Sequence, residues 1–198
     1  MYKNNNIRLI VAMLFCILIY TNNAAAKDCY EKSLNFIALK DKYYDLDATK
    51  KLSRADKTKL NKLFEKLEGK WEGKLTVTEC TGPDRAPRKK IINASIAVKI
   101  KPGTNDNFLL VSKKSYPNNI IKYDGIEILG DMKIFDFDFL NDNELVFTER
   151  NVMKNNNGIP RYVENIYEIR FNRKSLVLIR DYYSHGVFVS EEKWSLKQ

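Results

Sequence analysis

The residue whose chemistry stands out most in this sequence is Arg180, because the apolar residues around it alternate along the chain. An arginine cannot shed its charge, so inside an apolar interior it must meet a counter-charge. Two partners are open to it. Arg180 and Tyr182 together could receive the carboxylate or phosphate of a ligand. Alternatively, Arg180 could pair with Glu191, so that Arg180-Asp181-Tyr182 only closes one end of the barrel or faces solvent.

Predicted turns place these residues in register. Two-residue turns at Asn172-Arg173 and at His185-Gly186 set Asn165 opposite Arg180, and Arg180 opposite Glu191. We expect this face to point inward; its other members are Val163, Tyr167, Ile169, Phe171, Leu176, Leu178, Tyr182, Val187 and Val189. The opposite face also needs a cover, which we expect the N-terminal helices to provide; it carries Ile166, Val177, Ile179, Tyr183, Phe188 and Trp194.

Residue patterns that commit to catalysis are missing from the sequence. The single histidine, His185, falls in a predicted turn, and the chain has no cysteine cluster of zinc spacing, no Gly-x-Ser-x-Gly and no phosphate-binding glycine loop. Asp136 and Asp138 alternate with phenylalanines, which is typical of a solvated strand face. We therefore expect no enzyme, no metal site and no cofactor.

The elements that position these residues change character at Gly69-Lys70-Trp71. Before it, Asp28 with Glu31 predicts a helix to about residue 44, and Ser53 with Asp56 predicts a second helix that ends before Gly69. After it, apolar residues alternate in short runs, which predicts about nine strands. The first runs from Trp71; the others lie at about 89–101, 107–116, 119–129, 132–140, 144–153, 161–171, 175–184 and 187–197.

The fold class expected from this pattern is mainly β: an antiparallel up-and-down barrel of about eight to ten strands, preceded by two α-helices. Closure of the sheet removes exposed edges. We expect one domain, in which residues 27–68 pack as a helical segment on a barrel of residues 69–198.

The first 26 residues have the order of a secretory signal peptide. Lys3 and Arg8 precede an apolar run at residues 9–20, and Ala24-Ala25-Ala26 provides small residues for cleavage after Ala26. The expected location is the periplasm if the source is bacterial, and otherwise the secreted fraction. In an oxidising compartment we expect Cys29 and Cys80 to form a disulfide.

Net charge limits the partners. Loss of the signal peptide lowers the formal charge from +9 to +7, which favours acidic partners such as anionic lipid headgroups, while export argues against nucleic acid. The second helix has a lysine-rich face at Lys57, Lys59, Lys62 and Lys66. It could touch an anionic membrane surface weakly, or it could pack on the domain with its lysines in solvent.

Gly69-Lys70-Trp71, after a short helix and before the strands, resembles the first motif of the lipocalins and the wider calycin superfamily. The resemblance implies an up-and-down barrel that binds a small hydrophobic molecule in its mouth or, in members with filled interiors, another protein. Arg180-Asp181-Tyr182 is similar to the Arg-x-Tyr of intracellular fatty-acid-binding relatives. The sequence departs from the lipocalin pattern in lacking Thr-Asp-Tyr at the sixth strand and a helix after the last one.

The function expected from these observations is non-enzymatic. The leading hypothesis is a carrier of a small apolar or amphiphilic molecule in the cell envelope, with Trp71 and Tyr167 lining the interior and Arg180 at a polar headgroup. The alternative is a protein-binding envelope factor, such as an inhibitor or assembly accessory, with a filled barrel.

Overall fold

The computed structural model describes residues 27–39, 44, 52–102, 109–115, 126–128, 133–154 and 157–198. The predicted signal peptide, residues 1–26, lies outside the described residues, and so does the Ala26 side of its cleavage site. So do most of the predicted strand at 119–129 and the first part of the predicted loop at 155–160.

Among the residues that the structure describes, nine antiparallel strands form one sheet, so the mainly β class is confirmed. Consecutive strands are neighbours except β4 and β5, which are not paired within the described residues, and β1 also pairs with β9. The strands are β1 (Gly69–Thr81), β2 (Arg88–Pro102), β3 (Leu109–Ser115), β4 (Ile126–Ile128), β5 (Lys133–Asn141), β6 (Glu144–Lys154), β7 (Pro160–Asn172), β8 (Ser175–Ser184) and β9 (Val187–Lys197).

Within the described part of the chain, two helices precede the sheet, α1 (Leu34–Leu39) and α2 (Arg54–Leu67). The predicted capping box of α2 is confirmed, because the Ser53 hydroxyl accepts from the Asp56 N–H and the Asp56 carboxylate accepts from the Ser53 N–H, both at 3.1 Å. Among the described residues, no helix is both long and apolar enough to cross a membrane.

The predicted helix from Asp28 is wrong over its first turn. Residues 27–33, which we call the strap, run beside β9 instead, where the Tyr30 N–H donates to the Phe188 carbonyl at 3.0 Å and the Phe188 N–H donates to the Glu31 carbonyl at 2.8 Å. Pairing with the start of β9 satisfies backbone groups that a helix would have used, so tertiary contact overrides the local signal. The strap is also held by the predicted Cys29–Cys80 disulfide, which the structure confirms.

The sheet curls around α2. This helix contacts β1, where the Trp71 indole N–H donates to the Leu67 carbonyl at 2.8 Å, and β5, where the Lys59 ammonium lies 5.5 Å from the centre of the Phe139 ring. In a flat sheet these two strands, five steps apart, would be about 24 Å from each other, and a helix is only about 10 Å wide. We call the face that packs on α2 the concave face and the other the outer face.

The concave face carries the main core. Its residues from the sheet and from α2 form one buried apolar cluster. Members include Leu60, Leu63, Phe64, Leu67, Trp71, Leu75, Phe137, Phe147, Tyr167, Leu178, Trp194 and Leu196. We expected both N-terminal helices to cover the face opposite Arg180, and this is wrong for α2. Its apolar side packs with Trp71 and Trp194, which lie on the same face of the sheet as Arg180.

Candidate functional site

The register of β7 and β8 places the predicted site residues on the concave face with different neighbours. The connecting turn is at Arg173-Lys174, one residue later than predicted, so Arg180 lies opposite Tyr167 and Asn165 lies opposite Tyr182. This shift moves the pairing by two residues, which preserves the face of every side chain. Asn165, Tyr167, Arg180 and Tyr182 therefore share one face, as predicted.

The predicted pairing of Arg180 with Glu191 is wrong, because Arg180 faces Glu192. A β-bulge between β8 and β9 pairs Tyr182 with Ser190 but Tyr183 with Phe188, and the extra residue shifts the rest of β9 by one position. Glu191 consequently lies on the outer face. Trp194, expected there, is on the concave face.

Five residues form a buried polar group on the concave face, which we call the polar layer: Glu149, Asn165, Tyr167, Arg180 and Glu192. The Arg180 Nη2 atom lies 2.9 Å from the Glu192 Oε1 atom, and the guanidinium also hydrogen-bonds the Tyr167 hydroxyl. The other four residues are between 0% and 6% exposed, but the Arg180 side chain remains 22% exposed. The layer is thus nearly dry, and its partial solvent access is at the Arg180 side chain.

The charges of the layer do not favour the anionic headgroup that Arg180 alone suggests. Burial raises the pKa of Tyr167 far above its usual range, and the nearby Glu149 charge raises it further, so this residue stays a neutral phenol. Glu149 and Glu192 then set two carboxylates against one guanidinium. Carboxylate groups therefore outnumber the cationic group among the five residues of the layer.

The layer divides the concave face into two parts. On the α2 side, the space is filled by Trp71, Trp194 and Phe147, the last stacked on Tyr167 with ring centres 4.7 Å apart. Trp71 therefore belongs to the packed end and not to the polar layer. On the other side lies the half-buried Tyr182.

The outer face has charged groups that sequence reasoning did not single out. Arg150 and Glu164 form a buried ion pair, with 2.7 Å between Nε and Oε2 and side-chain exposures of 3% and 0%. Nearer the strap, Asp181 is 4% exposed and its Oδ2 atom pairs with the Lys27 ammonium. Glu191 lies directly opposite Asp181.

The pKa values of both acids follow from this setting. Burial raises the pKa of Asp181, and the hydrogen bond from Lys27 only partly lowers it. Burial also raises the pKa of the half-buried Glu191, and the neighbouring Asp181 charge adds to that effect.

These raised pKa values predict a pH dependence of stability. Because the folded protein holds protons on these acids more tightly than the unfolded chain, their contribution to the free energy of unfolding increases as pH falls from neutral towards the ordinary carboxyl range. Replacing Glu191 by glutamine should weaken this dependence. Urea unfolding at a series of pH values measures the pH dependence of the free energy of unfolding for the unsubstituted protein and for Glu191→Gln. The same pH dependence in both would contradict a contribution from Glu191.

An open hollow of about 560 Å³ lies between α2 and the β5–β6 turn. Its lining combines apolar with charged side chains: Lys59, Lys62, Leu63, Glu65, Lys66, Phe139 and Asp142. The apolar side of α2 is buried against the sheet, as expected for a helix that packs on the domain. Its lysines line this hollow with two acids among them, so the hollow has only a small excess of positive charge.

Neither the models of known protein families nor the curated proteins give a match to this chain. Within the described parts of the chain, no group of three or more His, Cys, Asp or Glu side chains is arranged to hold a metal ion. The candidate site is therefore defined by its geometry: the polar layer is a buried charged group on the concave face, and its Arg180 side chain is partly exposed.

Proposed function

We propose that this protein is a non-enzymatic carrier, which binds a small amphiphilic molecule on the concave face with its polar head at the polar layer. The observation that carries the proposal is the Arg180–Glu192 pair, in which Glu192 is 5% exposed while the Arg180 side chain is still 22% exposed. A core built only for stability gains little from such groups, since a buried ion pair is often matched or exceeded by apolar residues of similar volume. Hydrogen bonds from these groups to the polar head of a ligand would explain why the pair is buried there.

We also propose that the curled sheet closes into an up-and-down barrel of the lipocalin or calycin kind. Pairing of β1 with β9 supports this, because the first and last strands are neighbours in such barrels. The strand order would then need only one more pairing, between β4 and β5.

Export to the periplasm or the cell exterior is part of the same proposal. Its support is the Cys29–Cys80 disulfide, because disulfides form and persist mainly in oxidising compartments. The order of charged, apolar and small residues before Lys27 supports it independently.

The headgroup preference can be tested with three ligands of equal chain length. We expect dodecylamine to displace the fluorescent probe N-phenyl-1-naphthylamine at about tenfold lower concentration than dodecanoate, a difference of about 1.4 kcal/mol, with dodecan-1-ol between them. The reason is the excess of carboxylates over guanidinium in the polar layer. Displacement by dodecanoate at the lowest concentration, or by no chain, would contradict the proposal.

Two variants of β6 distinguish the effect of the polar layer on headgroup preference from that of the rest of the strand. Replacing Glu149 by glutamine removes a carboxylate of the layer and should reduce the preference for the amine severalfold. Glu144, on the outer face of the same strand, provides the matched control, and its replacement by glutamine should leave the order of displacement unchanged. If both variants reduced the preference for the amine equally, the polar layer would not be what determines headgroup preference.

A second candidate function is a protein-binding envelope factor. The packed end of the concave face favours it, because Trp71, Trp194 and Phe147 fill the space in which a larger ligand would lie. A protein that retains no probe but cross-links to a specific envelope protein in its host would favour this function over the carrier.

A further inference from the structure

The strap begins at an acidic site on the outer face. Beyond its bonds to Phe188, it is held by the Ser33 N–H, which donates to the Gly186 carbonyl at 2.8 Å. Lys27, at the start of the strap, places its side-chain ammonium on Asp181. The side chain of Lys27, the first described residue, therefore ends at a buried carboxylate.

This site has one acceptor atom to spare. The Oδ1 atom of Asp181 is buried and has no hydrogen-bond partner in the part of the chain that the structure describes. A buried acceptor left without a donor costs about 1–3 kcal/mol, and more when it is charged.

The two facing carboxylates of the site differ in the cations that act on them. Lys27 acts on both Asp181 and Glu191, while Lys193 and Glu168 act on Glu191 with opposite signs. Glu168 has its own ion pair with Arg170 on β7. Asp181 thus depends on the Lys27 ammonium, whereas Glu191 also has Lys193 nearby. A second positive group at Lys27 would supply the donor that the Oδ1 atom of Asp181 lacks.

We propose that the α-ammonium group created on Lys27 by cleavage after Ala26 binds the Asp181–Glu191 carboxylates beside the Lys27 side chain. The inference rests on the proposed export, because signal-peptide removal makes residue 27 the N-terminus. Before cleavage the same nitrogen is an uncharged amide. Afterwards it carries a positive charge and three donors, at a residue already tied to Asp181.

The consequence is that removal of the signal peptide completes the fastening of the strap. The new ion pair adds to the disulfide at Cys29 and to the backbone bonds with β9. The cleaved chain is therefore more firmly folded at this corner than the precursor.

The test compares two chains that differ by the three alanines before Lys27, and therefore in where the N-terminal amine lies. One begins at Lys27 and the other at Ala24, so both carry the same net charge, and both contain every described residue. We expect the chain beginning at Lys27 to have a melting temperature roughly 3 °C higher. Its N-terminal amine should titrate above the ordinary range of about 7.7–8.0 when followed by NMR.

Asp181→Asn in both chains shows whether the acid is responsible. The melting temperatures of the two Asp181→Asn chains should coincide, and the amine should titrate in its ordinary range. Equal melting temperatures in the unsubstituted chains together with an ordinary amine pKa would overturn the proposal, as would a difference that persists in Asp181→Asn.

The intact mass of the protein purified from its host shows where the mature chain begins. A mature chain that begins at Lys27 supports the proposal, and one that begins elsewhere overturns it. The headgroup displacement experiment uses the concave face and does not involve the strap, so failure of the carrier function is distinguishable from failure of this site.

Discussion

Replacing Arg150 alone by methionine is expected to lower the free energy of unfolding by about 3–5 kcal/mol. The side chain is 3% exposed, and its partner Glu164 is fully buried beside Tyr183 on the next strand. Loss of the guanidinium leaves a carboxylate in a dry environment, which is far costlier than loss of the pair as a whole. Urea unfolding followed by tryptophan fluorescence measures the change.

The double variant Arg150→Met/Glu164→Leu separates these two effects. It removes both charges and replaces them with apolar groups, so it should fall within about 1 kcal/mol of the unsubstituted protein. Lys90 and Glu79 provide a matched cross-strand pair on the surface, 3.7 Å apart and 62% and 41% exposed. Replacing Lys90 by methionine should change stability by less than about 1 kcal/mol. A double variant as unstable as Arg150→Met would contradict this account.

Loss of the disulfide is expected to lower the free energy of unfolding by about 4 kcal/mol, since it closes a long loop in the unfolded chain. Cys29 and Cys80 are 51 residues apart in sequence. The change is tested with Cys29→Ser/Cys80→Ser, and amide hydrogen exchange of the strap reports whether the loosening is local. We expect the strap to exchange faster in the variant while the amides of β7 and β8 follow the global stability.

The reducing agent dithiothreitol provides the control for this second prediction. It should destabilise the unsubstituted protein to the level of the double serine variant and have no effect on that variant. A loss below about 1 kcal/mol would show that the strap is held by its backbone bonds and by Lys27, with little contribution from the covalent link.

Much of the fold could be predicted because its signals are local. The Ser53–Asp56 capping box, the apolar spacing of α2 and the alternation along the strands each depend on residues close in sequence. The cysteine pair was predictable for a different reason, since removal of residues 1–26 leaves only Cys29 and Cys80.

The candidate site was less predictable because it depends on register. One bulged residue in β9 exchanges Glu191 for Glu192 beside Arg180 and moves Trp194 to the other face. A signal was available in the sequence: Trp194 and Leu196 are apolar while Lys193 and Ser195 are polar, which favours placing the tryptophan on the inward face. Glu149, from a strand whose register with β7 was not assigned, gave no such signal.

The strap and the position of α2 could not be read from the sequence for physical reasons. The strap's hydrogen-bond partners lie at the far end of the chain, in β9, so local capping residues say nothing about them. Both α2 and the strap precede the same sheet in the chain. Their division between the concave and outer faces is decided by packing against side chains that are remote in sequence.

The pairing of β1 with β9 has a consequence for the speed of folding. Glu72 meets Lys197, so the two ends of the strand-forming chain must find each other before this part of the sheet exists. Contacts between such distant residues carry a large loop-closure entropy, and proteins dominated by them fold in milliseconds to seconds. The hairpins from β5 to β9 can form early, whereas the ladder that joins the two ends of the chain is expected to form in the slow step.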